Sequence, residues 1–229
     1  MVPRSLLSGL ALAAFAAPAS AIAAPPAASE VAVLGLFRAA DPAAHAGALD
    51  ALGSAASGCA IRRQGKVAGT RGPLALPEPN RFLLLRCQSS LLEDPAGLAA
   101  IEGLGGELVL LEGSALWSGD EPDASVAERA YVIKLSRFNE EAPGAREADL
   151  AAIGRDVSQR PHAYVNEAVI SVARSRGADG TDDVTVLYYR RPSDGKAFRQ
   201  QNPDLMKRIG AFNETHVADF VYVNGVAER

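Results

Sequence analysis

The sequence has little of what nucleic-acid-binding and membrane-spanning proteins require. Its basic residues are scattered among acidic ones, and removal of Arg4 with the N-terminal segment leaves 22 Lys and Arg against 27 Asp and Glu, a net charge of −5. We therefore expect no nucleic-acid partner, since neutralising phosphates requires clustered basic residues. Beyond the N-terminal segment, no apolar run approaches the length of a membrane span, so we expect no membrane association once that segment is removed.

Recognisable catalytic and cofactor signatures are also missing. The sequence contains no HExxH, CxxC, GxSxG, Walker-type loop or glycine-rich dinucleotide fingerprint. The glycine-rich run at 103–106 follows a predicted helix where a phosphate loop would follow a strand, which is typical of a helix stop. The three histidines, His45, His162 and His216, are too scattered to indicate a transition-metal site by spacing. We therefore expect neither a metal nor a nucleotide cofactor.

The N-terminal segment 1–24 has the three parts of a secretory signal peptide. Arg4 supplies the positive region, Leu6–Ala17 is mostly apolar, and small residues follow up to Ala24. The apolar stretch is too short to span a bilayer, although a retained membrane anchor is the alternative interpretation. The sequence thus predicts a periplasmic or secreted protein with a mature chain of about 205 residues.

The mature chain repeats one order of elements twice. In each half, hydrophobic periodicity predicts strand, helix, strand, strand, helix and strand, the βαββαβ order of ferredoxin-like folds. The Asp-Pro pairs at 41–42 and 94–95 start the helices of the first half, and Pro203 breaks the last helix of the second half. We predict an α+β fold with a first ferredoxin-like half at 31–118, a linker at 119–130 and a second half at 131–225.

The two cysteines, Cys59 and Cys87, test this arrangement. Cys59 opens the second predicted strand and Cys87 nearly ends the third, and these strands should form an antiparallel hairpin. Pairing them symmetrically about their loop brings the two residues opposite each other, within disulfide reach. A pair of buried free thiols is the alternative, but an exported protein favours the bridge.

This element order resembles that of the dimeric α/β-barrel superfamily, here with both halves in one chain. In that superfamily two four-stranded sheets pack face to face, with helices outside and often a ligand cavity within. Its members include cofactor-independent antibiotic-biosynthesis monooxygenases, haem-handling enzymes, muconolactone isomerases and proteins like the ethyl tert-butyl ether degradation protein. The resemblance covers 31–224 in element order and carries no motif of one family, so it assigns no functional residue.

Polar residues of the second half suggest a ligand cavity. Alternation along the strands, with a hairpin symmetric about Asp179, places Tyr164, Asn166, Tyr188 and Arg190 on one face among apolar neighbours. A few convergent polar groups on an apolar surface are typical of a small-molecule pocket. An ordinary sheet face with tyrosines reaching toward its edge is the alternative.

The same register predicts a structural ion pair between Glu167 and Arg191 on the opposite face. His216, between the last helix and the last strand, could project into the open end of the barrel, where imidazole would transfer protons near neutral pH. A histidine that merely favours the helix dipole is the alternative. Lys134, on a central strand, would more often reach solvent than stay buried.

These features predict a small-molecule enzyme that acts on a hydrophobic or aromatic compound in the barrel cavity. His216, Tyr164 and Tyr188 would be catalytic, while Asn166 and Arg190 would bind the substrate. Oxygenation, isomerisation and lyase-type cleavage all stay open. A non-catalytic protein that binds such a ligand or haem, and an interaction protein with a filled barrel, are the rival hypotheses. Exposed sheet edges could also pair copies of the chain into a homo-oligomer.

Overall fold

The computed structural model describes residues 30–39, 49, 58–103, 107–117, 129–139, 143–161 and 163–228. The predicted signal peptide, nearly all of the first predicted helix and the linker up to residue 128 lie outside these described residues. Strands in the described part are β1 (Val31–Phe37), β2 (Cys59–Arg71), β3 (Arg81–Cys87), β4 (Leu108–Trp117), β5 (Ala130–Phe138), β6 (Val165–Arg176), β7 (Asp183–Tyr189) and β8 (Val217–Ala227). Its longer helices are α1 (Pro95–Glu102), α2 (Pro143–Ser158), α3 (Pro192–Gln201) and α4 (Pro203–His216).

The eight strands form one closed antiparallel barrel. Their order around it is β1-β3-β2-β8-β5-β7-β6-β4, and β4 closes the ring by pairing with β1. The first four strands therefore lie in the order β4-β1-β3-β2 and the last four in the equivalent order β8-β5-β7-β6. We expected two stacked sheets, but β2 pairs with β8 and β4 pairs with β6, which joins them at both seams. These eight strands consequently leave no free edge for a second copy to extend.

Alternating residues of the strands point into the barrel and bury a continuous apolar core. This alternation is what period-two strands produce when one face is enclosed. The interior core includes Ala32, Leu34, Leu36, Phe82, Leu84, Val109, Leu111, Ile133, Leu135, Ile170, Val184, Val186, Val221 and Val223. The aromatic side chains of Tyr131 and Tyr188 belong to the same interior cluster.

Helices cover the outside of the barrel and bury its outward-facing residues. Ile101 of α1 packs with Leu91 and strand residues of the first half. Val157, Phe198 and Leu205, from three successive helices, form a second outer cluster over the other half. None of the helices in the described ranges is long and apolar enough to cross a membrane.

The helix starts and the helix break follow the local chemistry of the sequence. The Asp94 side chain accepts hydrogen bonds from the amides of Ala96 and Gly97, at 3.2 and 3.1 Å, and so caps α1 as predicted. The last helix divides at Asn202, so that α4 begins with Pro203 at its first position. Proline lacks the amide hydrogen that an uninterrupted helix would need there, which is why the chain bends.

The disulfide predicted from the hairpin is present. Cys59 and Cys87 are directly opposite each other in the β2–β3 register, with their Cα atoms 4.0 Å apart and a sequence separation of 28 residues. No other cysteine is present in the sequence. The bridge therefore ties the start of β2 to the end of β3, at one end of the barrel.

Candidate functional site

The interior of the barrel carries a charged group at the end where β2, β5 and β6 begin and β7 ends. Two β-bulges lie at this end, one between Ile61 and Arg63 and one between Asn166 and Ala168. A bulge adds one residue to a strand and changes the direction of its side chains. These bulges place Arg63 and Glu167 on the inner side of strands that lie opposite each other in the barrel.

An ion pair crosses the barrel interior between those two strands. Arg63 Nε lies 2.7 Å from Glu167 Oε1, and both side chains are under a tenth exposed, at 8% and 5%. Arg62 Nε lies 3.8 Å from the same carboxylate oxygen and its side chain is 24% exposed. Three strands separate β2 from β6 in either direction around the ring, so this contact can form only through the lumen.

Two tyrosines and a third arginine complete the group. The hydroxyl of Tyr131 donates a hydrogen bond to Glu167 Oε2. The Tyr131 ring is 5.6 Å from the ring of Tyr188, centroid to centroid. The guanidinium carbon of Arg129 lies 4.2 Å from the centroid of the Tyr188 ring, a cation–π geometry. We refer to Arg62, Arg63, Arg129, Tyr131, Glu167 and Tyr188 as the lumen cluster.

The lumen cluster contains more guanidinium groups than carboxylates. Arg62 and Arg63 both lie within ion-pair distance of Glu167, whereas Arg129 forms no ion pair with a carboxylate of the described residues. Arg129 is 1% exposed, and its Nε and Nη2 atoms have no hydrogen-bond partner among the described residues. Burial would lower the pKa of Arg129, but a side-chain hydrogen bond with Tyr131 and electrostatic interactions with Tyr188, Tyr131 and Glu167 raise it overall. Burial and the charge of Glu167 raise the pKa of Tyr131, so its phenol is a proton-bearing donor at neutral pH.

The structure does not bring the predicted site residues together on one face. Tyr188 points into the barrel, where it is 2% exposed. Tyr164 instead packs outside the barrel against the rings of Tyr189 and Phe198, at 6.1 and 5.7 Å, and this burial raises its pKa. The prediction of a shared face was wrong, because the bulge in β6 reverses the direction of residues before it.

The other two members of the predicted face also lie outside the lumen. Asn166 pairs in register with Leu187, whose side chain packs in the outer cluster. Arg190 follows the end of β7 and is exposed. The hairpin between β6 and β7 is centred near residue 177 rather than at Asp179, because Ile170 pairs with Val184.

His216 lies outside the barrel, between two helices. It is the last residue of α4 and is buried, and its Nε2 is 2.8 Å from Oδ2 of Asp149 on α2. Its ring contacts Phe212 with centroids 5.0 Å apart. The imidazole therefore holds two helices together and does not face the lumen cluster. The expected projection of His216 into the barrel end was wrong.

The structure also differs from the predictions for Glu167 and Lys134. Glu167 does not pair with Arg191, which instead contacts Asp194 at 3.2 Å on the outside. The reason is the bulge, which turns Glu167 inward toward Arg63. Lys134 is held on the outer side under α4, where its Nζ donates to Asn213 Oδ1 at 2.8 Å. Burial lowers the pKa of Lys134 to about 8.

Sequence reasoning missed most of the lumen cluster. Arg63 and Glu167 were hidden because strict alternation ignores the bulges, and Arg129 precedes the strand where the second half was taken to begin. One signal was available, since the adjacent arginines at 62 and 63 directly follow the apolar residues that open the second strand. Charged residues in such a strand indicate either a bulge or a buried partner.

The described residues include no group of three or more His, Cys, Asp and Glu side chains that could hold a metal ion. His216 is the one histidine within the described ranges, and it lies on the helix side. The lumen cluster contains guanidinium, phenol and carboxylate groups in place of imidazole or thiolate. Such a set suits the recognition of polar organic groups.

Comparisons with known proteins identify the fold. No protein-family model and no curated protein matches the sequence. Among solved structures, an anthrone oxidase-like protein has a TM-score of 0.54 at 13% identity, with 88% of this chain and 92% of that chain covered. A monooxygenase-like protein from Lactobacillus acidophilus NCFM has a TM-score of 0.56 at 6% identity, with 88% and 95% covered.

Chlorite dismutase from Candidatus Nitrospira defluvii, solved in complex with imidazole, has a TM-score of 0.56 at 13% identity, with 88% of this chain and 92% of that chain covered. These solved structures are dimeric α/β-barrel proteins. The chain therefore has the dimeric α/β-barrel fold that its element order resembles. At these identities the likeness defines the fold alone.

Proposed function

We propose that the protein is an exported enzyme that acts on a small hydrophobic or aromatic compound inside the barrel, at the lumen cluster. Export depends on the signal peptide predicted at 1–24, which would be removed to leave a periplasmic or secreted chain. We also propose that the barrel consists of two ferredoxin-like halves in tandem. The equivalent strand orders β4-β1-β3-β2 and β8-β5-β7-β6 support this duplication.

The observation that carries the proposal is the ion pair that crosses the lumen between Arg63 and Glu167. Charges are rarely buried in an apolar core unless they are paired, and a pair of this kind seldom improves stability over apolar packing. A folded protein that keeps such a group among apolar neighbours indicates a functional role for it. The aromatic rings of Tyr131 and Tyr188 beside it suit an aromatic or otherwise flat substrate.

The side chains of the lumen cluster suit different roles in a proton transfer. Glu167 is the carboxylate of the group and would accept a proton from the substrate. Tyr131, which donates to Glu167, would hold that carboxylate in position and supply a hydrogen-bond donor. Arg63 stabilises negative charge that develops at the same place, since it is within 2.7 Å of the carboxylate. Tyr188 would stack against the substrate, so the proposal moves the proton-transfer role from His216 to Glu167.

The names of the structural neighbours agree with this class of function. They include an anthrone oxidase-like protein, a monooxygenase-like protein and chlorite dismutase, all of which are named for chemistry on small molecules. Oxygenation, isomerisation and lyase-type cleavage all stay compatible with a carboxylate, a phenol and guanidinium groups.

The proposal is tested by screening purified protein against a panel of aromatic substrates, with and without oxygen, by mass spectrometry. We expect conversion of at least one compound, with a loss of about 100-fold or more in the rate for Glu167→Gln. His216→Gln, on the outer side of the barrel, is the matched variant and should retain the rate. Loss of activity in the His216 variant with a normal rate for Glu167→Gln would contradict the proposal.

A non-catalytic binding protein is the second candidate, and one observation favours it. Both oxygens of Glu167 are already engaged, one by Arg63 and one by Tyr131, which is a suitable arrangement for a rigid binding site. Saturable binding without turnover would support this candidate. For haem as the ligand, the described residues offer no imidazole in the lumen, and a Soret band in the purified protein would show whether it binds.

A further inference from the structure

We propose that the ligand of the lumen cluster is an organic acid whose carboxylate binds to Arg129. This inference rests on the proposed function, because it concerns the chemistry of the same site. The expected substrate class is a monocarboxylic acid with an apolar, preferably aromatic, body.

Two buried hydrogen-bond donors of Arg129 lack an acceptor among the described residues. This residue is 1% exposed, yet Nε and Nη2 of its guanidinium have no hydrogen-bond partner in the described part of the chain. Buried donors of charged groups are normally satisfied, because leaving them without an acceptor is costly. The two atoms lie on one edge of the guanidinium, the edge that binds both oxygens of a carboxylate.

The charge of Arg129 has no counterion among the described residues. Glu167 lies within 3.8 Å of both Arg62 and Arg63, and neither of these ion pairs includes Arg129. A ligand with one negative charge would supply the counterion that this buried guanidinium lacks.

Aromatic rings lie beside the guanidinium of Arg129. The guanidinium of Arg129 lies over the ring of Tyr188 at 4.2 Å, so one of its flat faces is covered and its edge is left for a ligand. The rings of Tyr131 and Phe82 continue the surface, with centroids 5.3 Å apart. An inorganic anion would pair with the charge of Arg129 but would not pack against these aromatic rings. A carboxylate attached to an apolar body would do both.

The experiment compares acids with their neutral amides. Binding of benzoate, benzamide, hexanoate and hexanamide to the full-length protein is measured by isothermal titration calorimetry at constant ionic strength. We expect at least one acid to bind about tenfold or more tightly than its amide. The same acid should raise the midpoint of thermal unfolding, as any ligand of the folded state does.

Variants then assign the binding to one residue. Arg129→Gln should weaken binding of the acid by about tenfold or more and leave the affinity for its amide unchanged. Arg129→Lys keeps the charge but loses the two-pronged edge, and should give an intermediate affinity. Arg176→Gln is the matched control, because Arg176 lies at the opposite end of β6 with its side chain 48% exposed. It should bind as the unaltered protein does.

The outcomes separate this inference from the proposed function. Equal affinity for acids and amides, or unchanged acid binding in Arg129→Gln, overturns the carboxylate site. Either result is still consistent with an enzyme that acts on a neutral compound. Failure of both acids to bind also overturns it. Acid binding that depends on Arg129 without any turnover supports the site and contradicts the enzyme. If Arg129→Gln does not fold, Arg129→Lys and the comparison of acids with amides on the unaltered protein still test whether the ligand carboxylate binds to Arg129.

Discussion

Replacement of Glu167 by glutamine is the sharpest test of the ion pair across the barrel. The substitution keeps the size of the side chain but removes its charge, so that the buried guanidinium of Arg63, 8% exposed, loses its counterion. The hydrogen bond from Tyr131 would also lose its charged acceptor. Arg62 and Arg129 would add to the uncompensated positive charge at this end of the lumen.

The expected loss of stability is large for a substitution that keeps the size of the side chain. Removing one partner of a buried ion pair costs about 3–5 kcal/mol, because the other charge is left in a low-dielectric environment. For a chain of about this length, each kcal/mol shifts the thermal midpoint by about 2–4 °C. We therefore expect Glu167→Gln to unfold about 6–20 °C below the unaltered protein.

The assay is urea denaturation and differential scanning calorimetry at pH 7. Glu93→Gln is the matched control, since Glu93 forms an ion pair with Arg174 in which the two side chains are 64% and 48% exposed. Surface pairs contribute about 0–1 kcal/mol, so this variant should shift the midpoint by no more than about 4 °C. If Glu167→Gln were no less stable than Glu93→Gln, the ion pair across the lumen would not exist as described.

Three further expectations concern the scaffold. Replacing Cys59 and Cys87 together by alanine should lower the free energy of unfolding by about 3–4 kcal/mol in urea denaturation, because the bridge closes a loop with a sequence separation of 28 residues. A reducing agent should not lower the stability of this double variant any further. Because the pKa of Lys134 is lowered to about 8, the unfolded chain binds its proton more tightly above that pH, so this residue should contribute a rise of about 2 kcal/mol in the free energy of unfolding from pH 7 to pH 10, measured as the difference from Lys134→Met. Equal pH dependence of the free energy of unfolding in Lys134→Met and the unaltered protein would contradict the buried position of the amine. Gly113→Ala should lower the free energy of unfolding by about 3 kcal/mol or more, since a Cβ there would lie 1.8 Å from a carbonyl oxygen of β6. Gly144→Ala is the control, because a Cβ there has open space around it, and calorimetry should find it as stable as the unaltered protein or more stable.

Much of the fold could be predicted from local patterns. The eight strands occur in the predicted order, and Pro203 divides the last helix as predicted. The cysteine pairing followed from hairpin symmetry, because a regular antiparallel pair fixes which residues are opposite once its turn is located. These features depend on residues close together in the chain, where propensity, capping and turn chemistry act directly.

The candidate site could not be predicted in the same way. A bulge moves every residue on one side of it to the other face, and nothing in the alternation of β6 marked the one before Ala168. Tyr164 and Asn166 consequently lie outside the barrel, while Glu167 lies inside. Tyr188, after the bulged pairing, keeps the inward orientation that alternation assigned to it.

By itself, the sequence determined the order of strands and helices, the helix starts and the disulfide, because each depends on interactions within or between neighbouring segments. Tertiary structure decided which charged groups meet. Arg63 and Glu167 are about a hundred residues apart in the chain and belong to strands on opposite sides of the ring. Only closure of the barrel brings them within 2.7 Å, since their contact depends on the register of all the strands between them.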